Sequence, residues 1–94
     1  EADHHWTQND DLVAVYLYKY GPENLGSRLE EITTKLGMST ASMKMRIQNV
    51  KKADVGIGLP HTAKQTRLVF DRFGRLPERE LRAKVERYLA SATR

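Results

Sequence analysis

The chain has 94 residues, 30% of them charged, a net charge of +4 and an isoelectric point of about 9.6. That length suits one domain with a real but modest core. Cysteine is absent, which excludes a disulfide framework and thiolate metal sites. No apolar run is long enough to span a bilayer and no signal-type apolar segment occurs, so a soluble, cytoplasmic chain without a membrane partner is expected. It begins at Glu1 rather than Met, which leaves open that it is part of a longer polypeptide.

The charge is unevenly spread. Residues 1–43 carry three basic and seven acidic side chains, whereas residues 44–94 carry thirteen and five. Such a split fits either one surface prepared for an anionic partner or the solvated basic face of a small protein.

The first helix is predicted over Gln8 to Tyr20. Thr7 is its N-cap with Asp10 three residues on, and Asp10 and Asp11 suit the positive end of the helix dipole. Leu12, Tyr16 and Val13, Leu17, Tyr20 recur at helical spacing, and Gly21-Pro22 ends the run. Trp6 is expected to fold back onto this helix. After a Gly- and Pro-containing connection (Gly21 to Gly26), Ser27-Arg28-Leu29-Glu30 reads as a capping box. Leu29, Ile32 and Leu36 line one face of the short helix that follows, and Gly37 stands at its C′ position.

Ser39 caps the third helix, whose apolar seam is Met43, Ile47 and Val50. Asp54 to Pro60 reads as irregular. Thr62 to Phe73 is helical, with Thr66, Val69, Phe70 and Phe73 on one face and Gly74 as terminator. Pro77 opens a last helix carrying Leu81, Val85, Tyr88 and Leu89. No stretch alternates as a strand does. The reading is a single all-α domain over residues 1–94, a small bundle of four to five helices. Its expected core is Trp6, Leu12, Tyr16, Leu29, Ile32, Leu36, Met43, Ile47, Val50, Val69, Phe70 and Phe73.

Helices two and three, about residues 28–52, form a helix-turn-helix pattern around Gly37. On a wheel of 100° per residue, Ala41, Met45, Gln48, Asn49 and Lys52 point away from the seam, with Lys44 beside them. Gln48 and Asn49 have side chains for base edges, whereas Lys44, Arg46, Lys51 and Lys52 suit phosphates. Ser39, Thr40 and Ala41 are small enough for close approach to a groove. Met45 fits either a thymine methyl or a gap beneath a loop. His61 and Lys64 are further phosphate candidates, or plain surface residues.

His4, His5 and His61 show no metal-ligand spacing, and no catalytic signature or phosphate-binding Gly loop occurs, so no metal, cofactor or enzymatic activity is expected. Tyr16, Tyr18, Tyr20 and Tyr88 read as packing residues rather than a base-stacking platform.

A set of short matches runs through the chain. Trp6-Thr7, Asp11-Leu12, Leu17-Tyr18, Leu36-Gly37, Ser39, Met45-Arg46-Ile47, Asn49, Asp54, Gly58-Leu59, Lys64 and Phe73 follow in order. In this the stretch from Trp6 to Phe73 resembles the amino-terminal helical domain that precedes HNH nuclease modules in restriction-like proteins. The pattern departs at Met38, where a basic residue is expected, and at Thr40, where proline is frequent. The HNH residues themselves are absent. The resemblance therefore implies double-stranded DNA binding or target recognition near the nucleoid, with any cleavage carried by a fused or associated nuclease domain. The opening Trp-Thr and acidic helix also resemble Myb/SANT-like domains, although Trp6 stands alone here. That alternative implies a protein-interaction module with no direct nucleic-acid role.

Overall fold

The computed structural model describes residues 5–56 and 64–92. It comprises α1 (Gln8–Tyr20), a 3-10 turn (Glu23–Leu25), α2 (Leu29–Leu36), α3 (Thr40–Val55), α4 (Lys64–Phe73) and α5 (Glu78–Ala92), with no strand among the described residues. The all-α reading of four to five helices is met by five among the described residues. Among the described residues, no helix is long and apolar enough to cross a membrane.

Helix α1 is the hub. The Thr7 hydroxyl accepts from Asp10 N at 3.1 Å and the Asp10 carboxylate accepts from Thr7 N at 3.0 Å, closing the capping arrangement the sequence announces. The helix then departs from the expected amphipathic seam, because every residue from Asp10 to Leu17 is buried. Helices α3, α4 and α5 all pack against it. Covering so much of its circumference takes apolar residues nearly all round, and the unbroken run Leu12-Val13-Ala14-Val15-Tyr16-Leu17 supplies them.

Helix α2 starts one residue later than the capping-box reading had it. Arg28, not Ser27, is the N-cap, and its N–H donates to Glu31 Oε1 at 2.7 Å rather than to Glu30. At the other end Gly37 adopts φ 76°, Met38 N donates to Thr33 O at 3.0 Å and Gly37 N donates to Thr34 O at 3.2 Å. This is a Schellman ending, and its usual apolar contact is made by Met38, which is buried. A basic residue at position 38 would have no place in that packing.

Helix α3 runs to Val55, past the expected irregular start at Asp54, and Gly56 then stops it with φ 68°. The predicted start of α4 at Thr62 lies outside the described residues, as does most of the predicted irregular segment. Helix α5 begins at Glu78, with Pro77 just outside it accepting from Leu81 N at 3.0 Å. Its Leu81, Val85 and Leu89 are buried on the expected stripe. Of the expected core, Trp6, Leu29, Ile47, Phe70 and Phe73 sit half-buried at the rim, while the others are buried. The buried side chains outside that core list are those on the remaining faces of α1, Thr33, Met38, Ala53 and Thr66, and the α5 stripe Leu81, Val85 and Leu89.

Three tyrosines tie the bundle together. Tyr16 donates to Glu78 Oε2 at 2.5 Å, Tyr18 to Asp54 Oδ2 at 2.8 Å and Tyr88 to Asp10 Oδ1 at 2.7 Å, linking α1 to α5, to α3 and again to α5. Burial, reinforced by the Glu78 carboxylate, pushes the Tyr16 phenol up to about 12. The Asp54 hydrogen bond raises Tyr18, and burial raises Tyr88. Because the folded phenol of Tyr16 holds its proton more tightly than the unfolded one, its contribution to stability is complete below pH 10.0. That contribution disappears as pH rises from there through about 12. Ultraviolet titration should show a late phenolate component that Tyr16→Phe removes. A variant with an unchanged titration would refute the assignment.

Candidate nucleic-acid interface

Helix α3 owes its position to its inner face. Met43 and Val50 are fully buried, Ala53 is nearly so and Ile47 is half-buried. Ser39 caps the start, its hydroxyl accepting from Ser42 N at 3.1 Å, so that this side chain serves the helix itself. Thr40, next to it, is half-buried.

A polar anchor fixes the same helix. Asp11 is completely buried, and its carboxylate accepts four hydrogen bonds. Arg46 of α3 binds it bidentately, Nε to Oδ1 at 2.6 Å and Nη2 to Oδ2 at 2.8 Å. From α4, Gln65 Nε2 donates to Oδ2 at 2.7 Å and Thr66 Oγ1 to Oδ1 at 2.9 Å. Gln65 also reaches Trp6 O at 2.8 Å, and the Arg46 guanidinium lies 4.6 Å from the centre of the Trp6 ring. A buried carboxylate is tolerated because its lone pairs are filled and its charge is matched. Trp6, Asp11 and Arg46, three residues of the sequence resemblance, are thus in one cluster joining α1, α3 and α4.

This cluster corrects the expectation for Arg46. Its side chain is only 16% exposed and is drawn inward to Asp11, so it is an anchor of α3 and not a phosphate contact. Asp11, in turn, does more than complement the helix dipole. Trp6 packs beside α3 as well as closing over the start of α1.

The outer face of α3 keeps its expected composition. Ala41, Lys44, Met45, Gln48 and Lys51 are exposed, and Lys52 and Asn49 are half-buried at its edges. No acidic side chain lies in the first turn, and the one acid in the helix, Asp54, is engaged by Tyr18. Among the described residues the lysines of the stripe make no ion pair, and their charge extends over a little more than two turns. Met45 is 72% exposed, which excludes burial beneath the described segments. Asn49 instead borders a shallow hollow of about 210 Å³ shared with Trp6, Ser42, Met45 and Arg46. Lys64 is exposed at the start of α4, and His61 lies outside the described residues.

Among the described residues no group of three or more His, Cys, Asp or Glu side chains is arranged to hold a metal ion. The participation of Trp6 in this surface was not legible from the helix wheel, because it precedes α1 and is no part of α3, whereas Ser42 stands only about 20° from Asn49 on that wheel. Comparison with known proteins gave no match: no protein family, no curated protein and no solved structure aligns significantly with the chain.

Proposed function

We propose that this domain binds double-stranded DNA, with α2 and α3 acting as a helix-turn-helix and the outer face of α3 in the major groove. The observation that carries this reading is the stripe of exposed Lys44, Gln48 and Lys51 with half-buried Lys52 at its edge, on a helix whose other side is pinned by Met43, Val50 and the Arg46–Asp11 pair. A rigid helix with cations and amides outward supplies phosphate contacts for affinity and base-edge contacts for sequence. The three residues between α2 and α3, with Gly37 in the left-handed conformation, give the short turn such a unit uses. The sequence resemblance adds the role of a target-recognition module, with phosphodiester cleavage performed by a separate nuclease domain.

Titration with duplex DNA, single-stranded DNA and RNA at two salt concentrations tests the proposal. Duplex should bind best, with affinity falling steeply as salt rises because lysines displace condensed counterions. Absence of duplex binding at low salt would favour the protein-interaction reading. Exposed Met45, Val55 and Leu68 would then be its first candidates for contact. Within the DNA reading, Gln48→Ala should relax preference at one base position and cost about 1–3 kcal/mol of specific binding, measured by competition between related duplexes.

A further inference from the structure

Three methionines occupy this chain, and they are used differently. Met38 and Met43 fill the core, at 6% and 0% exposure, whereas Met45 stands 72% exposed on a face otherwise made of lysine, glutamine and alanine. Folding gains little from Met45 in that place. It is one wall of the shallow hollow that also meets Trp6, Ser42, Arg46 and Asn49. Asn49 lies one helical turn beyond Met45 and is half-buried, and its side-chain amide has no hydrogen-bond partner among the described residues. The hollow thus combines apolar walls (Met45 and the Trp6 ring) with one uncommitted amide, and it adjoins the cationic stripe.

We infer that this hollow reads a T·A base pair, the thymine C5-methyl packing against Met45 and Trp6 and the Asn49 amide pairing with the adenine edge. In the major groove a T·A pair presents a methyl group on one base, and on the other the N7 acceptor and N6 donor that an amide matches bidentately. Trp6 is held for this task from two sides, by Gln65 on its carbonyl and by the Arg46 guanidinium over its ring. The inference rests on the duplex-binding reading and adds to it the identity of one base pair.

The test enriches bound duplexes from a randomised pool and then replaces each thymine of the selected site by deoxyuracil, at constant salt. One position should lose about fourfold in affinity, the value of one buried methyl group. Met45→Ala, which removes an exposed side chain and keeps a strong helix former, should narrow the difference between the thymine and uracil duplexes to what the Trp6 contact alone gives. Replacing that pair by 5-methylcytosine·guanine supplies the methyl without the adenine edge, and should remain weaker than T·A for the wild type but not for Asn49→Ala. Full binding of the 5-methylcytosine duplex by the wild type would remove Asn49 from the inference. Equal affinity for thymine and uracil at every position would overturn the hollow's role while leaving duplex binding intact. Failure to enrich any duplex would overturn both.

Discussion

Asp11→Ala is expected to be the most destabilising single substitution in this domain. Removing the carboxylate leaves the donors of Arg46 and Thr66 without their acceptor, leaves Gln65 only the Trp6 carbonyl, and leaves the Arg46 charge unmatched. Breaking a buried pair from one side costs about 3–5 kcal/mol, and a domain of this size holds about 5–15 kcal/mol in total. The midpoint of thermal unfolding should fall by at least about 12 °C, taking about 4 °C per kcal/mol. Asp11→Asn should lie between wild type and Asp11→Ala, since its amide keeps one oxygen for two of the four donors but turns a donor toward the others. Circular-dichroism melts of the three proteins give the answer. An Asp11→Ala protein melting within a few degrees of wild type would mean that the cluster is not what holds α3 against α1 and α4. Any loss of DNA binding by the variant should vanish at temperatures where it is fully folded and α3 is reseated.

Joint replacement of Lys44, Lys51 and Lys52 by Ala should do the opposite, leaving the fold in place and removing the affinity. Lys44 and Lys51 are exposed and Lys52 half-buried, and none of the three makes an ion pair among the described residues. Surface changes of this kind usually alter stability by no more than about 0.5 kcal/mol each. If all three contact phosphates, the slope of log affinity against log salt should become shallower by about 2.7, at about 0.9 per phosphate. At about 0.1 M salt this corresponds to a loss of about two to three orders of magnitude in duplex affinity. An unchanged slope in a folded triple variant would show that α3 is not the DNA-contacting element. Attention would then move to the basic surface of the last helices. There Arg75 and Arg79 are exposed, and Arg82 is held by Glu78 at 3.3 Å.

The two experiments separate two kinds of charge on one helix. Arg46 and Lys44 are two residues apart in α3, yet the first is spent on an internal carboxylate and the second faces solvent. A rotation of about 200° around the helix axis is the whole difference between them. The wheel places Arg46 near the edge of the apolar seam, but only a carboxylate at the right height on α1 turns that position into an anchor.

What the sequence by itself determined was everything set by neighbours a few residues away. Thr7 and Asp10 close the start of α1, Gly37 ends α2 and Ser39 opens α3 because caps and stops are local bonds. The inner and outer faces of α3 follow from helical periodicity, and so do the buried Leu81, Val85 and Leu89 of α5. Even there a one-residue ambiguity remained at Ser27 and Arg28, because Glu30 and Glu31 offer equivalent carboxylates and the backbone chose the second. Only the tertiary structure decided that α1 is covered almost all round, since that depends on three other helices arriving on its different sides. It alone assembled Asp11 with partners 35, 54 and 55 residues away, and with them the Trp6 ring over Arg46. Spacing along the chain carries no record of such meetings. They arise where packed helices bring remote side chains to one height, and the buried charge of Asp11 persists there because Arg46, Gln65 and Thr66 all donate to it.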